Sequence, residues 1–284
     1  MQRKLSLVVL ALLVSLPMLA QDMTLEQVIA KNIEAHGGLA KMKTINSAKA
    51  TGKMVMSSPQ GSMEAPIVMY MRRPGDIKME FTLQGLTGTQ AYDGQSSTAW
   101  AIMPFGGKKD AEQMPPDEAR EMSQQAADGL EGPFVGYAAR GDKVELLGKD
   151  KVEGSDVYKL KLTRKSGDVE TFFIDADSFL EVRQETKRTV RGSEVESETV
   201  IGDYKEVNGL VMPFSMDSGR KGSPGRQKMI IEKYEFNVPL EHAQFVMPPP
   251  APKAATPEEK KEPSQTTPAK PEDKPKSTTD KPKN

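Results

Sequence analysis

Residues able to do chemistry are scarce in this chain. It has two histidines and no cysteine in 284 residues. His36 stands before Gly37-Gly38, and His242 lies just ahead of a proline-rich stretch. Neither has a spaced His, a Cys or an Asp–Ser arrangement nearby that would make it a general base or a metal ligand. Without cysteine there is no thiol nucleophile, no disulfide and no thiolate metal site. Gly37-Gly38 with Lys41, and Gly106-Gly107-Lys108, lack the spacing and the Ser/Thr of a phosphate loop. Asp175-Ala176-Asp177 lacks the rest of a calcium loop and reads as a turn. Glu194, Glu196 and Glu198 alternate along one strand, the pattern of a solvated face that discourages edge pairing. No enzymatic activity, cofactor or metal is expected.

The methionines, 17 in all, are more informative. Met54 and Met56 share one strand face, as do Met69 and Met71. Methionine is flexible and polarisable and adapts to irregular apolar partners. Two readings stay open, ordinary core packing and a greasy ligand surface. Thioether copper binding is disfavoured because His and Cys partners are missing. Arg73 falls by parity on the same face as Met63, Ile67, Met69 and Met71. An unpaired buried cation is costly. Either a carboxylate or backbone carbonyls meet its five donors, or the strand ends there and the side chain reaches water.

The elements that carry these residues follow from hydrophobic period. Thr24 and Gln27 form a capping box. Leu25, Val28, Ile29 and Ile33 then mark one face of a helix that Gly37-Gly38 ends. From there the period is two. Ile77, Met79, Phe81 and Leu83 alternate with Lys78, Glu80, Thr82 and Gln84, and Pro74-Gly75 is the turn before them. Strands are predicted at 48–56, 61–73, 76–85, 89–92 and 98–105. A second series is predicted at 143–147, 157–163, 169–174, 180–190, 194–204, 210–215 and 228–236. Between the two, Pro115-Pro116 and Asp117-Glu118 start a helical insertion within 110–130. The expected class is mainly β (α+β), a curved antiparallel sheet or open barrel of about ten or more strands.

The ends are distinctive. Arg3 and Lys4 precede an apolar run ended by Pro17, and Ala20 stands before Gln21-Asp22, the order of a secretory signal. The run is short for a membrane span of about 20 residues. Residues 1–20 therefore read as a signal peptide cleaved near Ala20. The absence of a Cys after it excludes lipoprotein anchoring. Residues 248–284 are mostly Pro, Lys, Glu, Thr and Ser with almost nothing apolar, which cannot bury enough surface to offset ordering, so a disordered tail is expected. The net charge of −1 argues against nucleic acid. The central 21–247 is expected to be one domain, exported, soluble and monomeric.

The stretch Met71-Arg72-Arg73-Pro74-Gly75-Asp76-Ile77-Lys78-Met79-Glu80, then Tyr92-Asp93-Gly94, Trp100 and Pro104-Phe105, resembles the periplasmic outer-membrane lipoprotein carriers and their relatives (LolA-like). Gly209-Leu210-Val211-Met212-Pro213 is also similar. Met103 departs from the family's usual Asn before Pro-Phe, and the chain is longer than a plain carrier. The resemblance implies an antiparallel half-barrel with lid helices over a concave apolar face. It implies a periplasmic carrier of lipid or lipoprotein acyl chains toward the outer membrane, whose partners would include an inner-membrane exporter and an outer-membrane acceptor. Arg73 would latch the lid, and 110–130 would supply a lid helix. Met63, Ile67, Met69, Met71, Met79, Phe81, Leu83 and Trp100 would contact the ligand. Some relatives sense or carry other lipids, so a non-carrier periplasmic sensor or envelope scaffold is the alternative.

Overall fold

A computed structural model describes residues 23–250 except 108 and 191. The expected signal peptide, and the expected tail beyond its first three residues, lie outside them. Among the described residues no helix is long and apolar enough to cross a membrane.

Thirteen antiparallel strands form one open sheet. The first six are β1 (Ser47–Ser58), β2 (Gly61–Arg72), β3 (Asp76–Leu83), β4 (Leu86–Asp93), β5 (Thr98–Ile102) and β6 (Glu112–Gln113). The other seven are β7 (Lys143–Val152), β8 (Ser155–Thr163), β9 (Val169–Asp175), β10 (Glu181–Val190), β11 (Ser193–Val207), β12 (Leu210–Arg220) and β13 (Arg226–Phe236). Each series is a meander of hairpins, and the pairing of β1 with β13 joins them, Ala48 standing opposite Phe236. The fold is therefore the expected half-barrel class.

Among the described residues four α-helices complete it: α1 (Leu25–Ala35), α2 (Leu39–Met42), α3 (Pro116–Asp128) and α4 (Tyr137–Arg140). The capping box forms as the sequence predicts, with Thr24 accepting from the Gln27 amide and Gln27 accepting from the Thr24 amide. Val28 and Ile29 of α1 pack on Tyr158, Leu160, Leu162, Phe172 and Ile174 of β8 and β9. Gly37 follows α1 because nothing larger fits. A Cβ there would lie 2.2 Å from the Gly209 carbonyl oxygen.

The position of α3 follows from topology. β6 and β7 are neighbours in sequence but occupy opposite edges of the sheet. The connection between them must cross the sheet, and α3 does so over the face that α1 also covers. Met122 and Ala126 pack on Ile77, Tyr92 and Ala99, while Arg120 and Gln124 reach Asp168 beside β9.

Some strand bounds differ from expectation. The strand expected over 98–105 ends at Ile102, and Pro104–Gly106 is a 3-10 turn. Proline has no N–H for a ladder and its fixed φ suits the turn. The turn places Phe105 on Phe81, with ring centroids 5.5 Å apart. β7 continues past Gly148 through a bulge, because glycine there takes a φ of +110. β12 runs on to Arg220, beyond the expected end at 215.

Candidate lipid-binding face

Strand alternation collects the apolar side chains on the concave face. In register, Met54 stands opposite Ala65 and Met229, Ile67 opposite Phe81, Met69 opposite Ala50 and Met79, and Met71 opposite Ile77. Met216 stands opposite Met229. Ala50, Met54, Ala65, Ile67, Phe214 and Ile231 are buried and form the floor. Met56, Met69, Phe81, Leu83, Met212, Met216 and Met229 pack on that floor but stay half-buried. Met63 is 49% exposed opposite Met56. A close-packed core would bury such side chains. These instead leave flexible thioethers partly exposed on the face.

Seven of the eight apolar residues singled out in the sequence, Met63, Ile67, Met69, Met71, Met79, Phe81 and Leu83, share this face. Met71 packs in the cluster under α3. Trp100 is a correction. It pairs with Ala91, whose neighbour Tyr92 lies under α3, so it points to the opposite, convex face. A strap after β13 crosses that face. Its Phe245 is fully buried, and the Phe245 carbonyl accepts from the Trp100 indole N–H at 2.7 Å. His242 on the same strap bonds Asp93 at 2.8 Å. Burial works against the charge of Asp93, but bonds from His242, Ser96 and two backbone amides hold its pKa down at about 2. Asp76 is buried nearby and accepts from Arg72 and the Gly94 amide. Both carboxylates of this cluster thus accept hydrogen bonds from the groups around them.

The lid is tied on both sides. On one, Arg73 donates to the Ile45 carbonyl at 2.7 Å and the Met42 carbonyl at 3.3 Å. It also pairs with Glu131, just past α3, at 2.7 Å. Both kinds of partner left open by the sequence are present. On the other side Arg164, 4% exposed, meets Asp128 at the end of α3 through two bonds of 2.6 and 2.7 Å. It also bonds Glu170 at 2.7 Å, and Asp142 lies at 3.5 Å. Arg140 adds contacts at 3.3 Å to Asp128 and Asp142. Burial works against the Arg164 charge, but Asp128 and Glu170 more than compensate and hold its pKa above the usual arginine range. Arg120 to Asp168 and Arg188 to Glu121 add outer ties. Sequence reading missed Arg164, although Leu160 and Leu162 precede it on one face just as Met69 and Met71 precede Arg73.

α1 has its own anchor. His36 faces the Val211 carbonyl at 2.9 Å and Glu181 at 2.7 Å. The Val211 carbonyl accepts, and Glu181 accepts when ionised, so the arrangement favours the doubly protonated ring. Burial would lower its pKa, yet the hydrogen bond and charge of Glu181 and the Val211 carbonyl raise it above 6.5. Burial likewise opposes ionised Glu181, but His36 and Asn32 pull its pKa below 4.5. A raised histidine pKa contributes stability that is complete below 6.5 and lost as pH rises through the folded-state value. The Glu181 contribution is present above 4.5 and lost as pH falls through its depressed value. The urea midpoint is expected to drop as pH rises above 6.5, and less steeply in Glu181→Gln. Parallel profiles for the two proteins would contradict the pairing.

Neither a protein-family model nor a curated protein matches the chain. Solved structures do match. A LolA superfamily protein from Nitrosomonas europaea is 12% identical over 78% of this chain and 96% of its own, with a TM-score of 0.56. The fold is LolA-like. A domain from Vibrio parahaemolyticus assigned to outer membrane lipoprotein sorting aligns with 76% of this chain and 97% of its own, at 13% identity and a TM-score of 0.52. A DUF1329 family protein from Desulfovibrio piger gives 13% identity, 78% and 96% coverage and a TM-score of 0.55. The LolA-like resemblance read from residues 71–105 thus holds at the level of the fold.

Proposed function

We propose that this protein is an exported carrier that takes lipid or lipoprotein acyl chains onto its concave face and moves them toward the outer membrane, without enzymatic chemistry of its own. The observation that carries this reading is the half-buried row of Met56, Met69, Met212, Met216 and Met229 beside a lid tied at both edges. Shielding alkyl chains there is favourable by about 0.8 kcal/mol per buried CH₂. The LolA-like fold and the signal-like order of residues 1–22 support an address in the periplasm. Solvent extraction of the purified protein followed by mass spectrometry tests it. Co-purified acylated species are expected. A protein that is empty from every preparation, and that takes up no acyl probe, supports the sensor or scaffold instead.

Arg73 acts as the latch in this reading. Its ion pair with Glu131 is part-exposed, whereas the Arg164 ties are buried. Partly exposed pairs hold weakly, at about 0–1 kcal/mol, so the Arg73 side releases first and α3 pivots on Arg164. Arg73→Leu is expected to raise hydrogen exchange in α3 and block delivery of acylated cargo to outer-membrane vesicles. Unchanged delivery would remove the role.

A further inference from the structure

The concave face changes character along β12. Alternate positions on that strand are Met212, Phe214, Met216, Ser218 and Arg220. Neighbouring strands follow the same order. Met216 lies between Met229 and Ile201, Ser218 lies between Gln227 and Thr199, and Arg220 stands opposite Ser197. The Ser218 and Thr199 hydroxyls are 2.9 Å apart. Each hydroxyl has one hydrogen and two lone pairs, so the pair keeps acceptor and donor capacity for a third group. Gln227 is exposed and stands opposite Met56. Successive rows lie about 6.8 Å apart, at about 3.4 Å per residue.

Among the described residues the cation at the end of this series is unpaired. Lys221 lies near Glu185 and Glu196, and Arg226 is held by Asp217 and Glu198. Arg220 is exposed and has no ion-pair partner among the described residues. The face therefore runs from hydrocarbon, through neutral hydrogen-bonding groups, to a guanidinium. A glycerophospholipid has the matching order of acyl chain, glycerol ester and phosphate, and Arg is well suited to phosphate because its planar fork can bond two oxygens.

We infer that the ligand is an anionic glycerolipid, with its acyl chains on the methionines, its esters at Ser218, Thr199 and Gln227, and its phosphate on Arg220. This rests on the acyl-binding reading above and specifies the head group. A lipoprotein's acylated N-terminus carries no phosphate, so the two cargo classes are separable.

The test uses the full mature chain and diphenylhexatriene, an all-hydrocarbon fluorophore, displaced by dioctanoylphosphatidylglycerol or by dioctanoylglycerol. The fluorophore is expected to bind. The phosphatidylglycerol is expected to displace it at about tenfold lower concentration than the neutral lipid, the factor given by about 1.4 kcal/mol. In Arg220→Gln that ratio should fall to about one, and in Arg220→Lys part of it should survive. Thermal midpoints check that both variants are folded. Equal displacement by the two lipids in the wild type, or a ratio untouched in Arg220→Gln, overturns the head-group assignment and leaves the acyl-binding reading standing. A fluorophore that does not bind overturns both. Inorganic phosphate that removes the preference at concentrations equal to the lipid's would show a free-phosphate site and also overturn the assignment.

Discussion

Replacing Arg164 with leucine is expected to destabilise the protein by about 3–5 kcal/mol, the range for breaking a buried ion pair by removing one partner. Asp128, Asp142 and Glu170 all converge on this guanidinium. Arg140 reaches Asp128 and Asp142 only at 3.3 Å, so those two carboxylates would share one remaining, more distant cation and Glu170 would lose its ion pair. Glu170 would keep the Gln184 amide at 2.9 Å, which does not offset its charge. Urea unfolding measures the loss. Because Asp128 ends α3, its detachment should also raise hydrogen exchange along that helix. Arg164→Leu combined with Asp128→Leu should recover part of the loss, because the second change removes a stranded charge. A single-variant loss below about 1 kcal/mol, typical of a surface pair, would show that the cluster does not hold the lid.

The second large effect concerns the face itself. Met229→Lys is expected to weaken binding of acyl probes by about 15-fold. Met229 lies between Met54 and Met216, packs on the floor and is half-buried. An ammonium there must keep water around it. That water excludes at least two methylenes of a bound chain, and at about 0.8 kcal/mol each the loss is about 1.6 kcal/mol. The fold should survive, because the lysine head can reach water from a half-buried position. Met229→Leu keeps the volume and apolarity and should bind normally. Equal affinity of the Lys variant and the wild type would place the ligand elsewhere.

What the sequence revealed depended on whether one residue's neighbours could decide its environment. Capping at Thr24 and alternation along β2 and β3 are local, and both were legible. The α3 helix was legible from Pro115-Pro116 and Asp117-Glu118, but its path was not, since that depends on β6 and β7 standing at opposite edges. Arg73 was found because its strand read apolar at alternate positions. Arg164 ends a strand read the same way, and the same test would have found it. Trp100 was misplaced for a different reason. Ala99, Trp100 and Ala101 are all apolar, so parity cannot choose a face for β5. The choice is made by Phe245, which arrives from residues that read as the domain's end.

The pairing of β1 with β13 bears on how the chain folds as it is made. As the polypeptide emerges from a ribosome, β1 to β6 are complete long before residue 226 appears. Until then β1 shows an open row of amides and carbonyls along the side that Arg226–Phe236 will fill, the kind of edge that recruits other chains. The contacts that close it span nearly the whole folded region, and such long-range closure is slow. Truncation before β13 is therefore expected to yield an aggregating fragment rather than a smaller domain.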